Sequence, residues 1–132
     1  MDIQIPISPG ELADKITILE IKAKLIKDKE KRKSINSELK LLNKEFDKIK
    51  KSFPKISGKI NARKKKLYDI NKKLWNIEDK LRLMESKKEF NDKFIKAARM
   101  VYKYNDSRSG IKNEINGLLG SKISEVKSYA KY

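Results

Sequence analysis

Apolar residues return at steps of four and three along most of the chain, the spacing of one face of an α-helix. Leu12, Ile16, Leu19, Ala23 and Ile26 form the first series, and Ile18, Ile21 and Leu25 widen it. So broad a face predicts a helix over about 9–27 that is packed on more than one side. Its start is legible in Ser8-Pro9-Gly10-Glu11: Ser8 is placed to cap, Pro9 suits the first helical position, and Glu11 closes a capping box. The second series, Ile35, Leu39, Leu42, Phe46, Ile49 and Phe53, is a narrow seam among Lys, Glu, Asn and Ser, as in coiled coils. The charged stretch from Asp28 to Lys33 reads as a tight turn between the two. An unbroken helix is the alternative, since no Gly or Pro interrupts it.

Phe53-Pro54 ends the second helix, because the residue before proline is pushed out of the α region. A third series, Ile60, Leu67, Ile70, Leu74, Ile77, Leu81 and Met84, predicts a helix over about 58–85, with Tyr68, Trp75 and Leu83 at its flank. Ser86-Lys87-Lys88-Glu89 reads as a second capping box that opens a fourth helix. That helix carries Phe90, Phe94, Ala97, Val101, Tyr104, Ile111, Ile115 and Leu118, with Gly120 suited to its C′ position. Asn105 to Gly110 is its weak point, yet the apolar register resumes in phase, so a continuous or kinked helix is expected. Asp2 to Ile7 alternates apolar and polar residues as a short extended segment. Ile123 and Val126 could lie beside Ile3 and Ile5 as a small β pair or clasp.

The expected fold is all-α: an antiparallel four-helix bundle or long helical hairpins, in one domain over 1–132, with short extended termini. The thin second and third stripes suggest that a basic hairpin over about 29–66 protrudes. Apolar surface left open on such a hairpin would favour a homodimer or another protein partner.

Composition narrows the chemistry. There is no Cys and no His among the 132 residues. Disulfides, thiolate catalysis, a Ser-His-Asp triad and a histidine–metal site are all excluded. No run approaches the roughly 20 apolar residues of a membrane span, and the N-terminus lacks the basic start and apolar run of a signal peptide. A soluble, cytoplasmic protein is expected.

The formal charge is +16, and it is unevenly spread. Residues 1–21 carry one Lys against four acids, whereas 22–73 carry 20 basic against six acidic residues. Lys31, Arg32 and Lys33, with Arg63, Lys64, Lys65 and Lys66, are the densest runs and the candidate contacts to nucleic acid. Only five of the 34 basic residues are Arg, the residue that reads phosphates and bases bidentately, so a plain solvated face competes with that reading.

Three polar groupings stand out: Glu11, Asp14, Lys15, Glu20 and Lys22 on the first helix; Trp75, Glu78, Asp79, Arg82 and Glu85 on the third; Arg99, Asn105, Asp106, Arg108, Lys112 and Asn116 on the fourth. With the first and third helices running the same way and the fourth opposed, a rise of about 1.5 Å per residue sets Glu20, Glu78 and Arg99 at similar heights. The same reckoning sets Asp14 nearer Arg108 and Lys112. An ion-pair network that fixes register is the plainer expectation. The alternative is a pocket for an anion or nucleotide. Glu11-Leu12-Ala13-Asp14 spaces two carboxylates on one helix face, as Mg²⁺ sites of all-α nucleotide pyrophosphohydrolases do, although Glu78 and Asp79 supply no matching pair. No cofactor is expected unless that alternative holds.

Gly10 to Lys22, Leu74 to Asp79, Val101-Tyr102 with Asn105 to Arg108, Lys112 to Gly120, and Glu125 to Tyr129 together resemble an uncharacterised bacterial family of small helical proteins. The resemblance covers most of the chain outside about 28–66. It implies no activity. Some of its relatives look like modules attached to glycosyltransferase or repeat-type partners, which implies a loose tie to surface sugar metabolism. The combined expectation is a non-catalytic binding or scaffolding module.

Overall fold

Helix boundaries follow from which side chains accept the first free N–H groups. Ser8 Oγ accepts from the Glu11 amide at 3.1 Å, with Pro9 at the first helical position. Asp28 Oδ1 accepts from the Lys31 amide at 2.8 Å, and Asn91 Oδ1 from the Phe94 amide at 3.1 Å. The computed structural model describes residues 1–132 as α1 (Pro9–Leu25), α2 (Lys29–Ser52), α3 (Ser57–Ser86) and α4 (Asp92–Leu118), with no strand. No helix is long and apolar enough to cross a membrane.

Two boundaries differ from the sequence expectation. Lys29 to Lys33 is the opening of α2 and not a turn, because Asp28 caps it and Glu30 sits in its first turn, where acids favour the helix. The Ser86-x-x-Glu89 box does not form. Ser86 ends α3 and donates to the Leu83 carbonyl, while Lys88 takes φ 57°. The Glu89 amide then donates to Met84 O and the Lys88 amide to Glu85 O, which closes a Schellman turn. Residues 87–89 are thus used to stop α3, and Asn91 starts α4. The helix α4 runs unbroken through Asn105–Gly110.

The central element is α1. Gly10, Leu12, Ala13, Asp14, Ile16, Thr17, Leu19 and Ile21 are all buried, almost half of its length. Its wide apolar face meets the other three helices, as that width requires. The core joins Leu12, Ala13 and Ile16 to Phe46 of α2, Ile60 and Leu67 of α3, and Ile115 of α4. Each such side chain, fully buried, contributes roughly 1.5–3 kcal/mol. α3 and α4 pair antiparallel, with Arg63 opposite Glu114 and Lys73 over the Tyr104 ring. α2 lies mainly on α1 and touches α3 little, so residues 29–66 do not form a paired hairpin. The narrow seam of α2 is taken mainly by α1, and Phe46 alone of its fully buried residues reaches the core shared with α3 and α4.

The terminal β pair is also absent. Ile3, Ile5 and Val126 are exposed. Gly120, at φ 62°, sits at C′ of a second Schellman turn: its amide donates to Gly117 O, and the Ser121 amide donates to Asn116 O. This turn sends the tail back along α4. There the Asn113 side chain accepts from the Glu125 amide at 2.8 Å and donates to the Glu125 carbonyl at 3.0 Å. A side-chain amide has taken the backbone bonds that a β partner would have made.

Candidate functional site

Asp14 is only 1% exposed, and everything around it answers its charge. Arg108 grips it with two bonds, Nε to Oδ1 at 2.8 Å and Nη2 to Oδ2 at 2.5 Å. Such a fork is the strongest geometry for an Arg–carboxylate pair. Asn71 Nδ2 donates to Asp14 Oδ1 at 2.9 Å and to Thr17 Oγ1 at the same distance. Arg108 also reaches Asn105 Oδ1 at 3.3 Å.

One turn further along α4, Lys112 is buried among three carboxylates. Its ammonium bonds Glu11 at 2.5 Å, pairs with Glu125 of the tail, and lies 3.9 Å from Asp14. Gly10 lets the helices approach this closely. Its amide donates to Asn116 Oδ1 at 2.8 Å, and a Cβ there would stand 2.3 Å from the Lys112 carbonyl oxygen. Only glycine fits against a neighbouring backbone at that range. No buried side-chain N or O is left without a partner.

Above this seam lies a cleft of about 630 Å³ between α4 and the returning tail. Arg108 and Lys112 form its floor, and Tyr102, Tyr129 and Tyr132 stand in its walls. Tyr132 packs edge-on to Tyr102 with ring centroids 5.1 Å apart, and its hydroxyl donates to Asp106 at 2.7 Å. Lys127 reaches the same carboxylate at 3.3 Å. On the other side of Arg108, a recess of about 460 Å³ is lined by Trp75, Glu78, Asp79 and Arg82.

The charges respond to this packing. The bond to Asp14 holds the Arg108 guanidinium protonated above its already high value. Burial pulls the Lys112 ammonium down, but its bonds to Glu11 and Glu125 outweigh that and leave it raised. The Tyr132 hydroxyl, aided by Lys127, draws Asp106 below the usual carboxylate value, and Asp106 in return raises the Tyr132 phenol.

Of the residues singled out from sequence, Glu11, Asp14, Asn105, Arg108 and Lys112 come together here, and Asp106 joins through the tail. Lys22 lines a small recess beside Glu11 and Asp14. Glu20 goes elsewhere: it takes Lys64 at 2.7 Å, not Arg99, which is exposed. Glu78 meets only Arg82, at 3.9 Å. In the basic runs, Arg63 is held by Glu114 at 3.2 Å, whereas Lys31, Arg32, Lys33, Lys65 and Lys66 are exposed. The Glu11 and Asp14 carboxylates turn onto Lys112 and Arg108, and no group of three or more carboxylates is placed to hold a metal ion.

The sequence reading missed Asn71 and the tail residues Glu125 and Lys127. Asn71 had a signal: it falls between Leu67 and Leu74 on the apolar stripe, where a polar residue must find buried partners. The tail residues had none, since their partners are fixed by the turn at Gly120 and not by any period.

No curated protein and no solved structure matches the chain. A family model matches residues 3–132, so the match also spans the lysine-rich stretch that the resemblance left out, and the chain belongs to the family of unknown function DUF6165.

Proposed function

We propose that the chain is a non-catalytic binding module whose ligand sits in the cleft between α4 and the returning tail. One observation carries this reading. Two cations, Arg108 and Lys112, and three tyrosines, Tyr102, Tyr129 and Tyr132, line that single cleft of about 630 Å³. A concave site with a few convergent charged groups among aromatic walls is a physical mark of ligand binding. The ligand chemistry it suits is a small molecule with a planar ring and an anionic group, of the nucleotide kind. The tyrosines offer ring faces and edges. Lys112 already holds a carboxylate, that of Glu125, where a ligand's oxyanion would lie.

The absence of a free base supports binding over catalysis. Glu11, Asp14, Asp106 and Glu125 are each engaged by a cation, which leaves no unpaired carboxylate in the cleft itself. A thermal-shift screen with nucleoside phosphates and sugar nucleotides, each with and without Mg²⁺, tests the reading. At a hundredfold excess over Kd a ligand stabilises by about 2.7 kcal/mol, a readily seen shift that Tyr102→Ala should abolish. No shift with any compound would overturn it.

A second reading, a scaffold that self-associates, is favoured by a different end of the molecule. Leu83, Phe90 and Ile95 lie around the α3–α4 turn and are each more than half exposed. Sedimentation of the wild type against Phe90→Ser tests it: a monomer in both would end that reading.

A further inference from the structure

The lysines of α2 divide cleanly by face. At 100° per residue, Ile35, Leu39, Leu42, Phe46 and Ile49 point to α1 and the core. Lys33, Lys40, Lys44, Lys48 and Lys51 fall on the opposite side, all exposed, with Ser37 filling the one gap. The row spans about 27 Å at 1.5 Å per residue. Three of the four α2 carboxylates are already paired: Glu38 with Lys15, Asp47 with Lys50, and Glu45 with Lys48 of the row itself. Lys33, Lys40, Lys44 and Lys51 carry no ion pair. By contrast, Arg63 and Lys64 on α3 are consumed by Glu114 and Glu20.

We propose that this outward row on α2 is a sequence-independent contact surface for the phosphate backbone of nucleic acid. Four of its five charges carry no ion pair, and they lie along one side of a rigid rod; Lys48 alone is paired, with Glu45. Lysines suit the task because phosphate attraction needs point charges, whereas base reading needs forked donors. The row holds no Arg, so no base preference is built in. A lipid surface fits less well. A membrane-lying helix presents an apolar face, and that face of α2 is turned into the core, leaving Leu41 as the exposed large apolar residue between Lys33 and Lys51.

The test uses the full chain and a fluorescent 20-base-pair duplex, with anisotropy followed across salt concentration. One variant carries Lys33→Gln, Lys40→Gln, Lys44→Gln and Lys51→Gln. A control carries Lys59→Gln, Lys65→Gln, Lys66→Gln and Lys80→Gln, which removes the same charge from exposed positions of α3. The α2 variant should bind at least tenfold more weakly, and the slope of log affinity against log salt should flatten by about four, one per lost phosphate contact. The control should stay within about twofold. Equal losses in both variants would show attraction by net charge alone and overturn the proposal, as would no loss in either. Phosphatidylserine vesicles that bind as tightly as the duplex, and lose binding with the same variant, would overturn it in favour of a lipid surface.

Discussion

Lys112 and Lys44 are the same residue type on helices of one chain, and the fold treats them oppositely. Lys112 has an 8% exposed side chain and answers Glu11, Asp14 and Glu125. Lys44 stands in solvent on α2 and meets no carboxylate. The first lies in a seam where α1, α3 and α4 meet and every polar atom must be matched. The second lies on a helix that offers the core one stripe and leaves its back free. Charge in this protein is fully matched where three helices converge, and pairs such as Arg63–Glu114 and Lys64–Glu20 join helices beyond that seam. On the back of α2, Lys33, Lys40, Lys44 and Lys51 are left without an ion pair.

Breaking the seam should have the largest effect. Asp14→Ala strands Arg108 and Lys112 without their central carboxylate, and loss of one member of a buried pair destabilises by about 3–5 kcal/mol. Chemical denaturation should show the midpoint fall sharply. The comparison sharpens if Asp14→Leu, Arg108→Leu and Lys112→Met are combined, since an apolar replacement of the whole network should cost less than the single change. A triple variant weaker than Asp14→Ala would contradict this account of the seam.

Gly10→Ala comes next. Its Cβ would press on the Lys112 backbone, which cannot swing aside as a side chain can. Overpacking of this kind costs about 1–3 kcal/mol, and the loss should appear in the same denaturation series.

A smaller effect concerns the tail. The Tyr132 phenol is raised above its ordinary 10.0 by its bond to Asp106, so the contact contributes fully below that pH and is lost as pH rises through the raised value. Asp106 is lowered, so the same contact persists above its ordinary 3.8 and fails as pH drops through the lowered value. Absorbance titration should show one of the five tyrosines ionising late. Asp106→Asn should return it to the ordinary range.

The smallest effect belongs to the other region. Lys44→Gln should change the melting free energy by no more than about 0.5 kcal/mol, as surface substitutions away from packed features do. A larger loss would place Lys44 in the structural class of Lys112 and dissolve the comparison.

Much of the scaffold was readable from the chain. The broad face of Leu12, Ile16 and Leu19 with Ile18 and Ile21 announced that α1 would be enclosed, and the rise per residue brought Asp14 to the level of Arg108 and Lys112. The same reckoning failed for Glu20 and Arg99, because it set α1 in step with α3. In the fold Asp14 meets Asn71 while Glu20 meets Lys64, so levels along the two helices do not correspond. The capping box at Ser86 failed for a local reason: two overlapping end signals competed, and the Schellman turn at Lys88 took the residues first.

The number of helices, their buried faces and the exclusion of histidine and cysteine chemistry were determined by the sequence alone, because period and composition are local properties. Beyond the level of Asp14, the burial of Lys112, its bonds to Glu11 and Glu125 and the return of the tail were decided only in three dimensions. Lys112 and Glu11 are 101 positions apart, and Arg108 and Asp14 are 94. A contact over such a separation depends on how closely α1 crosses α4 at Gly10, and the return of Glu125 to Lys112 depends on the turn at Gly120.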